Sequence, residues 1–201
     1  MKPIAIDINK DNVFFTSDTH FSHVNIIKYC NRPFTDVDEH DETLISNWNN
    51  VVDKDDIVFH LGDVALGPTK RVHDILERLN GKIYLCIGNH DWRSIVKQQA
   101  WRFEEIHQQY NLRIGKRHVI LNHFPFLCYS GSRRGLNSSY QLFGHVHTSP
   151  YTDKGLDYSR LDILFPSQYD VGVDNNNFTP VSWNDVNNII NAQMISYLNK
   201  L

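Results

Sequence analysis

The sequence has little of several features that mark particular protein classes. It contains three cysteines, Cys30, Cys86 and Cys128, and none forms a CxxC pair. This excludes a disulfide framework, suits a reducing compartment and leads us to expect a cytoplasmic protein. No apolar run approaches the ~20 residues of a membrane span. Neither charge sign dominates, because the formal net charge is only −3, so the sequence predicts no bulk attraction to nucleic acid or to an acidic membrane.

The remaining composition is that of an ordinary globular protein. Of 201 residues, 41% are hydrophobic and 21% are charged, and we find no repeat, low-complexity tract or linker. We therefore expect residues 1–201 to form a single domain. The N-terminal MKPIAIDINKD carries Asp7 within its only apolar stretch, so we do not expect a signal peptide.

Strand and helix patterns alternate along the chain. Short apolar runs predict strands at 4–8, 13–16, 57–61, 83–87, 140–143 and 169–173. Helical spacing predicts helices at 23–30, 38–52, 69–79 and 92–100, and a last helix that begins at a capping box, Ser182-x-x-Asp185. Residues 103–114 and 118–121 are predicted to form a hairpin around Gly115-Lys116. We expect the three cysteines and the four tryptophans (Trp48, Trp92, Trp101 and Trp183) to lie in the core.

Several predicted strands run directly into short motifs of Asp, Asn and His. In chain order these motifs are Asp18-Thr19-His20, Gly62-Asp63, Gly88-Asn89-His90-Asp91, Asn122-His123 and Gly144-His145-Val146-His147. In α/β proteins active sites lie at the carboxyl ends of strands, so we expect the motifs to meet in space. Imidazole and carboxylate groups suit zinc, iron or manganese. With His90 left over, the motifs supply two Asp, one Asn and four His. These are too many for one tetrahedral site, and they suffice for two metal ions if one carboxylate bridges them.

The ordered set D-x-H, G-D, G-N-H-D, H and G-H-x-H resembles the calcineurin-like metallophosphoesterase superfamily. The segments FTSDTHFSHVNIIKYCNRPF, HLGDVALG and VGVDNNNFTPVS resemble a small bacterial and phage branch of it, and the resemblance extends from about Val13 to Ser182. It implies an α/β (α+β) fold, a four-layer sandwich in which two mixed β-sheets pack face to face with helices outside, here without a cap domain.

The resemblance also implies a role for each motif residue. The first metal ion would be held by Asp18, His20 and His147, the second by Asn89, His123 and His145, and both by Asp63. A metal-bridging hydroxide would attack the phosphorus, and His90 would act as the general acid that protonates the leaving oxygen. Mn²⁺ is the favoured cofactor, and Fe, Zn and Ni accept the same ligands.

Candidates for substrate binding are His23, Asn25 and Arg93, which lie close to the motifs, and Arg133 and Arg134, which lie in the Ser/Gly-rich stretch 130–139. Arginine grips phosphate through forked hydrogen bonds. We assign His40, His60, His73, His107 and His118 structural roles because they fit no ligand spacing.

The resemblance implies three alternative functions. The first, which we favour, is a phosphodiesterase acting on a nucleotide or a nucleic-acid end. The second is a phosphomonoesterase for nucleotides or phosphoproteins. The third is a non-catalytic binding scaffold on the same fold. No pattern indicates a membrane or an obligate protein partner.

Overall fold

Ten strands form two mixed, five-stranded sheets in the computed structural model, which describes residues 3–8, 10–132, 138–149 and 161–200. The first sheet contains, in spatial order, β1 (Ile4–Ile6), β6 (Gln109–Ile114), β7 (Arg117–Asn122), β8 (Ser139–Phe143) and β9 (Gln168–Asp170). The second contains β10 (Val181–Ser182), β2 (Val13–Thr16), β3 (Ile57–His60), β4 (Lys82–Cys86) and β5 (Phe103–His107). The pairs β6/β7 and β10/β2 are antiparallel and the other neighbours are parallel.

The two sheets pack face to face through alternate residues of their strands. Phe59 of β3 points inward, and its ring lies 5.4 Å from that of Tyr110 in the opposite sheet. Its neighbour Val58 points outward into a second apolar cluster, as the two-residue period of a strand requires. Two cores therefore flank the second sheet, one between the sheets and one beneath its helices.

Helices cover the second sheet and close one edge of the sandwich. On the sheet lie α2 (Val37–Val51) and α3 (Thr69–Arg78), and the Asp36 carboxylate caps α2 by accepting two backbone N–H groups. The last helix, α4 (Trp183–Leu198), packs against β2, β9 and β10 and begins at the predicted Ser182 cap. A short helix, α1 (Ile26–Tyr29), follows the first motif. Within the described ranges, no helix has the length and apolarity needed to span a bilayer. The predicted architecture of two mixed sheets with outer helices is confirmed.

Some local predictions were wrong. Residues 103–107 do not belong to the predicted hairpin, because β5 pairs with β4 in the other sheet and the chain then crosses to β6. The hairpin itself joins β6 and β7. The predicted helix at 92–100 is shorter, a five-residue π-helix at Trp92–Val96, because Gln99 turns inward and its amide donates to the Thr69 carbonyl.

Three of the residues predicted for the core are at the surface. Trp92 and Trp101 are 56% and 51% exposed, and Cys128 is exposed. Trp101 is held at the surface by a hydrogen bond from its indole N–H to Gln99, which satisfies its polar edge outside the core. Trp48, Trp183, Cys30 and Cys86 are buried as predicted.

Candidate metal centre

The carboxyl ends of three parallel strands bring the first motifs together. Asp18 follows β2, Asp63 follows β3, and Asn89 with His90 follows β4. The strand pairing continues beyond the strand ends, since the Asp18 N–H donates to the Gly62 carbonyl and the His20 N–H to the Asp63 carbonyl. These hydrogen bonds fix the separation of the first two motifs.

The first sheet supplies the other motifs from its own carboxyl edge. His123 follows β7, and His145 with His147 follows β8, the parallel neighbour of β7. Two hydrogen bonds join this edge to the second sheet: His123 Nδ1 lies 2.8 Å from the Leu61 carbonyl, and the His145 N–H donates to Asp18 Oδ2 at 2.8 Å. The motifs therefore meet where the two sheets come together.

The seven predicted ligand residues form two groups around Asp63. Within each group the potential ligand atoms lie within 4.8 Å of one another: Asp18, His20 and His147 in the first, and Asp63, His123 and His145 in the second. Asp63 Oδ2 is 3.6 Å from His20 Nε2 and 3.7 Å from His123 Nε2, and it thus lies between the groups. Asn89 Oδ1 completes the second group at 2.9 Å from His123 Nε2.

Five of these seven residues have a left-handed backbone. The φ angles of Asp18, His20, Asp63, His145 and His147 are +58°, +49°, +56°, +70° and +51°. This conformation costs a non-glycine residue of order 1–3 kcal/mol and is concentrated at functional sites, where the surrounding structure maintains it. The strain turns side chains at the strand ends toward one point.

The donor set fits divalent metal ions. Among the described residues, the buried atoms Asp18 Oδ1 and His20 Nε2 have no hydrogen-bond partner, which is costly unless another ligand satisfies them. Burial lowers the pKa of His20 well below its usual value, with the charge of His147 adding to the shift, and burial likewise lowers the pKa of His145. Neutral imidazole is the form that binds metal. Burial also raises the pKa of Asp63, so a nearby cation would stabilise its charged form.

His90 lies at the exposed side of the site. Its side chain is 45% exposed, and its Nε2 is 3.9 Å from Asp63 Oδ2. Its backbone N–H donates to Asp63 Oδ1 at 2.9 Å, and its ring centroid is 5.7 Å from that of His20. The imidazole therefore borders the two groups from the solvent side.

The candidates for substrate binding differ in their positions. The half-buried His23 lies beside His20, with 3.4 Å between their Nδ1 atoms. Asn25 is exposed at the start of α1, and Arg93 is exposed in the turn after His90. Arg133 and Arg134 lie outside the described residues.

Sequence reasoning missed two buried carboxylates that hold the motif loops. Asp91 is completely buried and accepts the N–H groups of Gly88, Asp63 and Val64, so it joins the second and third motifs. Asp170 accepts the N–H groups of Thr148 and Gly172. Burial raises the pKa of each to about 6. The sequence signal for Asp91 was its place in the G-N-H-D motif, and Asp170 carries no comparable signal.

His60 has the structural role that the sequence predicted. Its Nδ1 accepts the Gly62 N–H at 3.1 Å and its Nε2 contacts Thr19 Oγ1 at 2.9 Å, so the ring links the first two motif loops. Nδ1 can accept the Gly62 N–H only if it carries no hydrogen. The ring is therefore neutral, with its one hydrogen on Nε2. Burial lowers the pKa of His60 to about 3, which keeps the ring neutral over the physiological range.

Gly88 supports a testable prediction about close packing at the site. A Cβ at this position would overlap the Asp63 carboxylate and the Asp63 backbone nitrogen. We expect Gly88→Ala to destabilise the fold by roughly 1–3 kcal/mol through overpacking and to weaken metal binding by displacing Asp63. Denaturant unfolding and titration with Mn²⁺ measure the two effects.

Gly115→Ala is the matched control for that prediction. Gly115 has a φ of +56°, and a Cβ added to it would meet no atom of the described residues within 4 Å, so alanine there costs about 1–2 kcal/mol of backbone strain alone. Mn²⁺ affinity should stay at the wild-type value in this variant. Equal Mn²⁺ affinity in Gly88→Ala and the wild type would contradict the role of the close contact.

Known proteins resemble this chain in sequence. Residues 12–164 match the profile of the calcineurin-like phosphoesterase superfamily domain. The chain is 39% identical over 153 residues to the uncharacterized protein MJ1445 of Methanocaldococcus jannaschii, and the match covers 68% of this chain and 86% of that protein. It is 34% identical over 134 residues to the gene 66 protein of Mycobacterium phage L5, a match that covers 58% of this chain and 64% of that protein.

A solved structure shares the fold. The crystal structure of AQ665 from Aquifex aeolicus, a protein of unknown function, superposes with a TM-score of 0.69 at 23% identity. The superposition covers 90% of this chain and 100% of that one. The two-sheet architecture is therefore common to both proteins.

Proposed function

Because the chain belongs to the calcineurin-like phosphoesterase superfamily, we propose that it is a metal-dependent hydrolase that cleaves a phosphodiester bond at this site. The observation that carries the proposal is the position of Asp63. Its carboxylate lies between two groups of nitrogen and oxygen donors, 3.6 Å from His20 and 3.7 Å from His123. Both distances are to the same oxygen, Oδ2, and a negatively charged carboxylate could serve two cations at once, whereas a neutral imidazole has one free lone pair and serves one.

Two divalent ions, Mn²⁺ in the first instance, would be held by the seven residues. Asp18, His20 and His147 would bind one ion, Asn89, His123 and His145 the other, and Asp63 both. When bound, the two ions supply Lewis acidity for the phosphoryl oxygens and lower the pKa of a water molecule toward neutrality. Asn89 ligates without a charge, which limits the repulsion of an anionic substrate.

His90 would supply the proton that the leaving oxygen needs. Imidazole titrates close to neutral pH and is therefore suited to general acid catalysis. The hydrogen bond from its backbone to Asp63 keeps the residue beside the metal ligands, while its side chain stays 45% exposed. This combination supports a role for the ring at the boundary between the site and an incoming phosphoester.

The preference for a diester is supported by the openness of the site. Asn89 and His90 are exposed, and the Phe124 ring, 4.6 Å from the His145 ring, is 43% exposed. An open site accommodates groups on both sides of the phosphorus, as in a nucleotide or at a nucleic-acid end. We propose that residues 1–201 act as a single domain without a cap over this site.

Hydrolysis of bis-p-nitrophenyl phosphate and p-nitrophenyl phosphate, measured side by side, tests this function. With Mn²⁺ we expect the diester to be cleaved with the higher kcat/KM, and we expect both activities to disappear after chelation. The metal-free protein with Mn²⁺ restored is the matched control. A higher kcat/KM for the monoester would favour phosphomonoesterase activity instead. No cleavage of either compound, with two ions bound, would favour a binding scaffold.

A further inference from the structure

Two sequence segments that the proposed mechanism does not use pack against each other beside the metal centre. They are CNRPF at 30–34 and VGVDNNNF at 171–178. Arg32 Nε and Nη2 donate to the two carboxylate oxygens of Asp174 at 2.8 and 2.7 Å, and the rings of Phe34 and Phe178 lie 4.8 Å apart. Arg32 and Asp174 are only 4% and 3% exposed. An ion pair this deeply buried costs desolvation energy, so it calls for a role beyond general stability.

The pair contacts one predicted metal ligand through each partner. Asp174 Oδ2 lies 2.8 Å from His147 Nδ1, and Arg32 Nη2 donates to the Asp18 carbonyl at 2.7 Å. Asp174 accepts an Arg32 N–H on each of its two oxygens, so it acts as an acceptor toward His147 as well, and Nδ1 of His147 carries the hydrogen of that contact. The other ring nitrogen of His147, Nε2, lies 3.7 Å from Asp18 Oδ1.

The same network holds the strained loop that carries the other two ligands. In the loop 18–22, Asp18, His20 and Ser22 have φ angles of +58°, +49° and +63°. Arg32 Nη1 donates to the Thr19 carbonyl, and the Asp41 carboxylate accepts the Ser22 N–H. The loop is thus fixed on both sides of His20.

His40 connects the two anchors of that loop. Its Nε2 lies 2.7 Å from Arg32 Nη1, and its Nδ1 lies 2.9 Å from Asp41 Oδ1. Because Arg32 can only donate, Nε2 of His40 accepts and Nδ1 donates to Asp41. The polar chain from Asp41 to His147 is therefore continuous, and the side chains of His40 and Asp41 are 0% and 2% exposed.

We propose that Arg32 and Asp174, linked through His40 to Asp41, are positioning residues that select the geometry of the first metal site, formed by Asp18, His20 and His147. This inference rests on the proposed function, because it assumes that these residues bind metal. No member of the second group, Asn89, His123 or His145, makes a described hydrogen bond with Arg32 or Asp174. The network should therefore affect one of the two ions selectively.

Calorimetric titration of the metal-free full chain with Mn²⁺ tests the selectivity. In Asp174→Asn we expect one of two sites to bind roughly 10–100-fold more weakly, the usual effect of losing an outer-shell partner, and the other to bind as in the wild type. Asp74→Asn, an exposed carboxylate paired with Lys70, is the matched control and should leave both sites unchanged. Equal weakening of both sites, or no weakening, would overturn the inference.

A measurement on the wild type covers the case in which Asp174→Asn does not fold. In the chain loaded with diamagnetic Zn²⁺, long-range ¹H–¹⁵N spectra report which imidazole nitrogen carries the hydrogen, and His147→Gln assigns the signal. Hydrogen on Nδ1 supports the inference and hydrogen on Nε2 overturns it. A wild-type chain that binds no metal would contradict the proposed function itself, and the inference with it. Two bound ions without site selectivity in Asp174→Asn would contradict the inference alone.

Discussion

Asp63→Asn is expected to abolish phosphoester hydrolysis and the binding of both metal ions at once. Each group of ligands loses the carboxylate that the two groups share. Losing an outer-shell partner lowers metal affinity by up to roughly 100-fold, so losing this ligand should lower the affinity for both metal ions further. Asparagine has the same size, and its Oδ1 still accepts the His90 N–H that Asp63 Oδ1 accepts. The metal and the activity should therefore be lost without local collapse.

The stability of this variant separates metal binding from folding. In the absence of metal, burial and the nearby Asp18 charge raise the pKa of Asp63, so the charged carboxylate is unfavourable there. Without metal, Asp63→Asn should unfold at the wild-type temperature or above it. At a metal concentration of 100 times Kd, the free energy of unfolding of the wild type should rise by about 2.7 kcal/mol. That of the variant should rise far less.

Asp55→Asn is the control for the loss of one carboxylate, because the Asp55 side chain is 97% exposed. It should bind two ions and hydrolyse substrate as the wild type does. Two bound Mn²⁺ per chain in Asp63→Asn, measured by elemental analysis after gel filtration, would contradict the shared position of this carboxylate.

His90→Ala should lower kcat while leaving both metal ions bound. His90 is exposed and belongs to neither group of ligand atoms that lie within 4.8 Å of one another. Loss of a general acid typically costs ~10²–10⁴ in rate. The deficit should depend on the leaving group, since p-nitrophenolate leaves with little protonation whereas an alkoxide requires it. We therefore expect a larger loss with a methyl or nucleoside leaving group than with p-nitrophenol.

His73→Ala is the control for this variant. His73 lies on α3, where it packs against Trp101 with 4.7 Å between ring centroids. It should retain the wild-type kcat for every leaving group. An equal deficit of His90→Ala across leaving groups would show that His90 does not protonate the leaving oxygen, and a loss of bound metal would assign it to the ligands instead.

The strands and the motifs at their ends could be predicted from the sequence because both follow from local patterns, whereas the role of each motif residue was an expectation from the family resemblance. The strand at 13–16 was predicted to the residue, and the apolar runs that end at Gly62-Asp63 and before Gly88 identified two neighbouring buried strands. Motifs directly after such strands must gather at one sheet edge. The strand-end rule also led us to expect that all the motifs meet, and only the division into two sheets came from the family resemblance. The hydrogen bond from the His145 N–H to Asp18 joins the edges of the two sheets.

The parts that were missed depend on contacts between distant segments. Strand β5 could not be assigned to its sheet from local pattern, because the turn after His107 resembles any other short connection while the chain there crosses between sheets. Arg32 and Asp174 are 142 positions apart, and a lone Arg or Asp in a sequence is usually exposed. Only the packing of the two segments shows that they form a buried pair.

Anomalous diffraction from crystals of the chain soaked in Mn²⁺ tests the central claim most directly, because it locates the ions independently of any assay. We predict two peaks per chain, one among Asp18, His20 and His147 and one among Asn89, His123 and His145, with the Asp63 carboxylate between them. A single peak, or peaks that leave Asp63 outside both coordination spheres, would contradict the account.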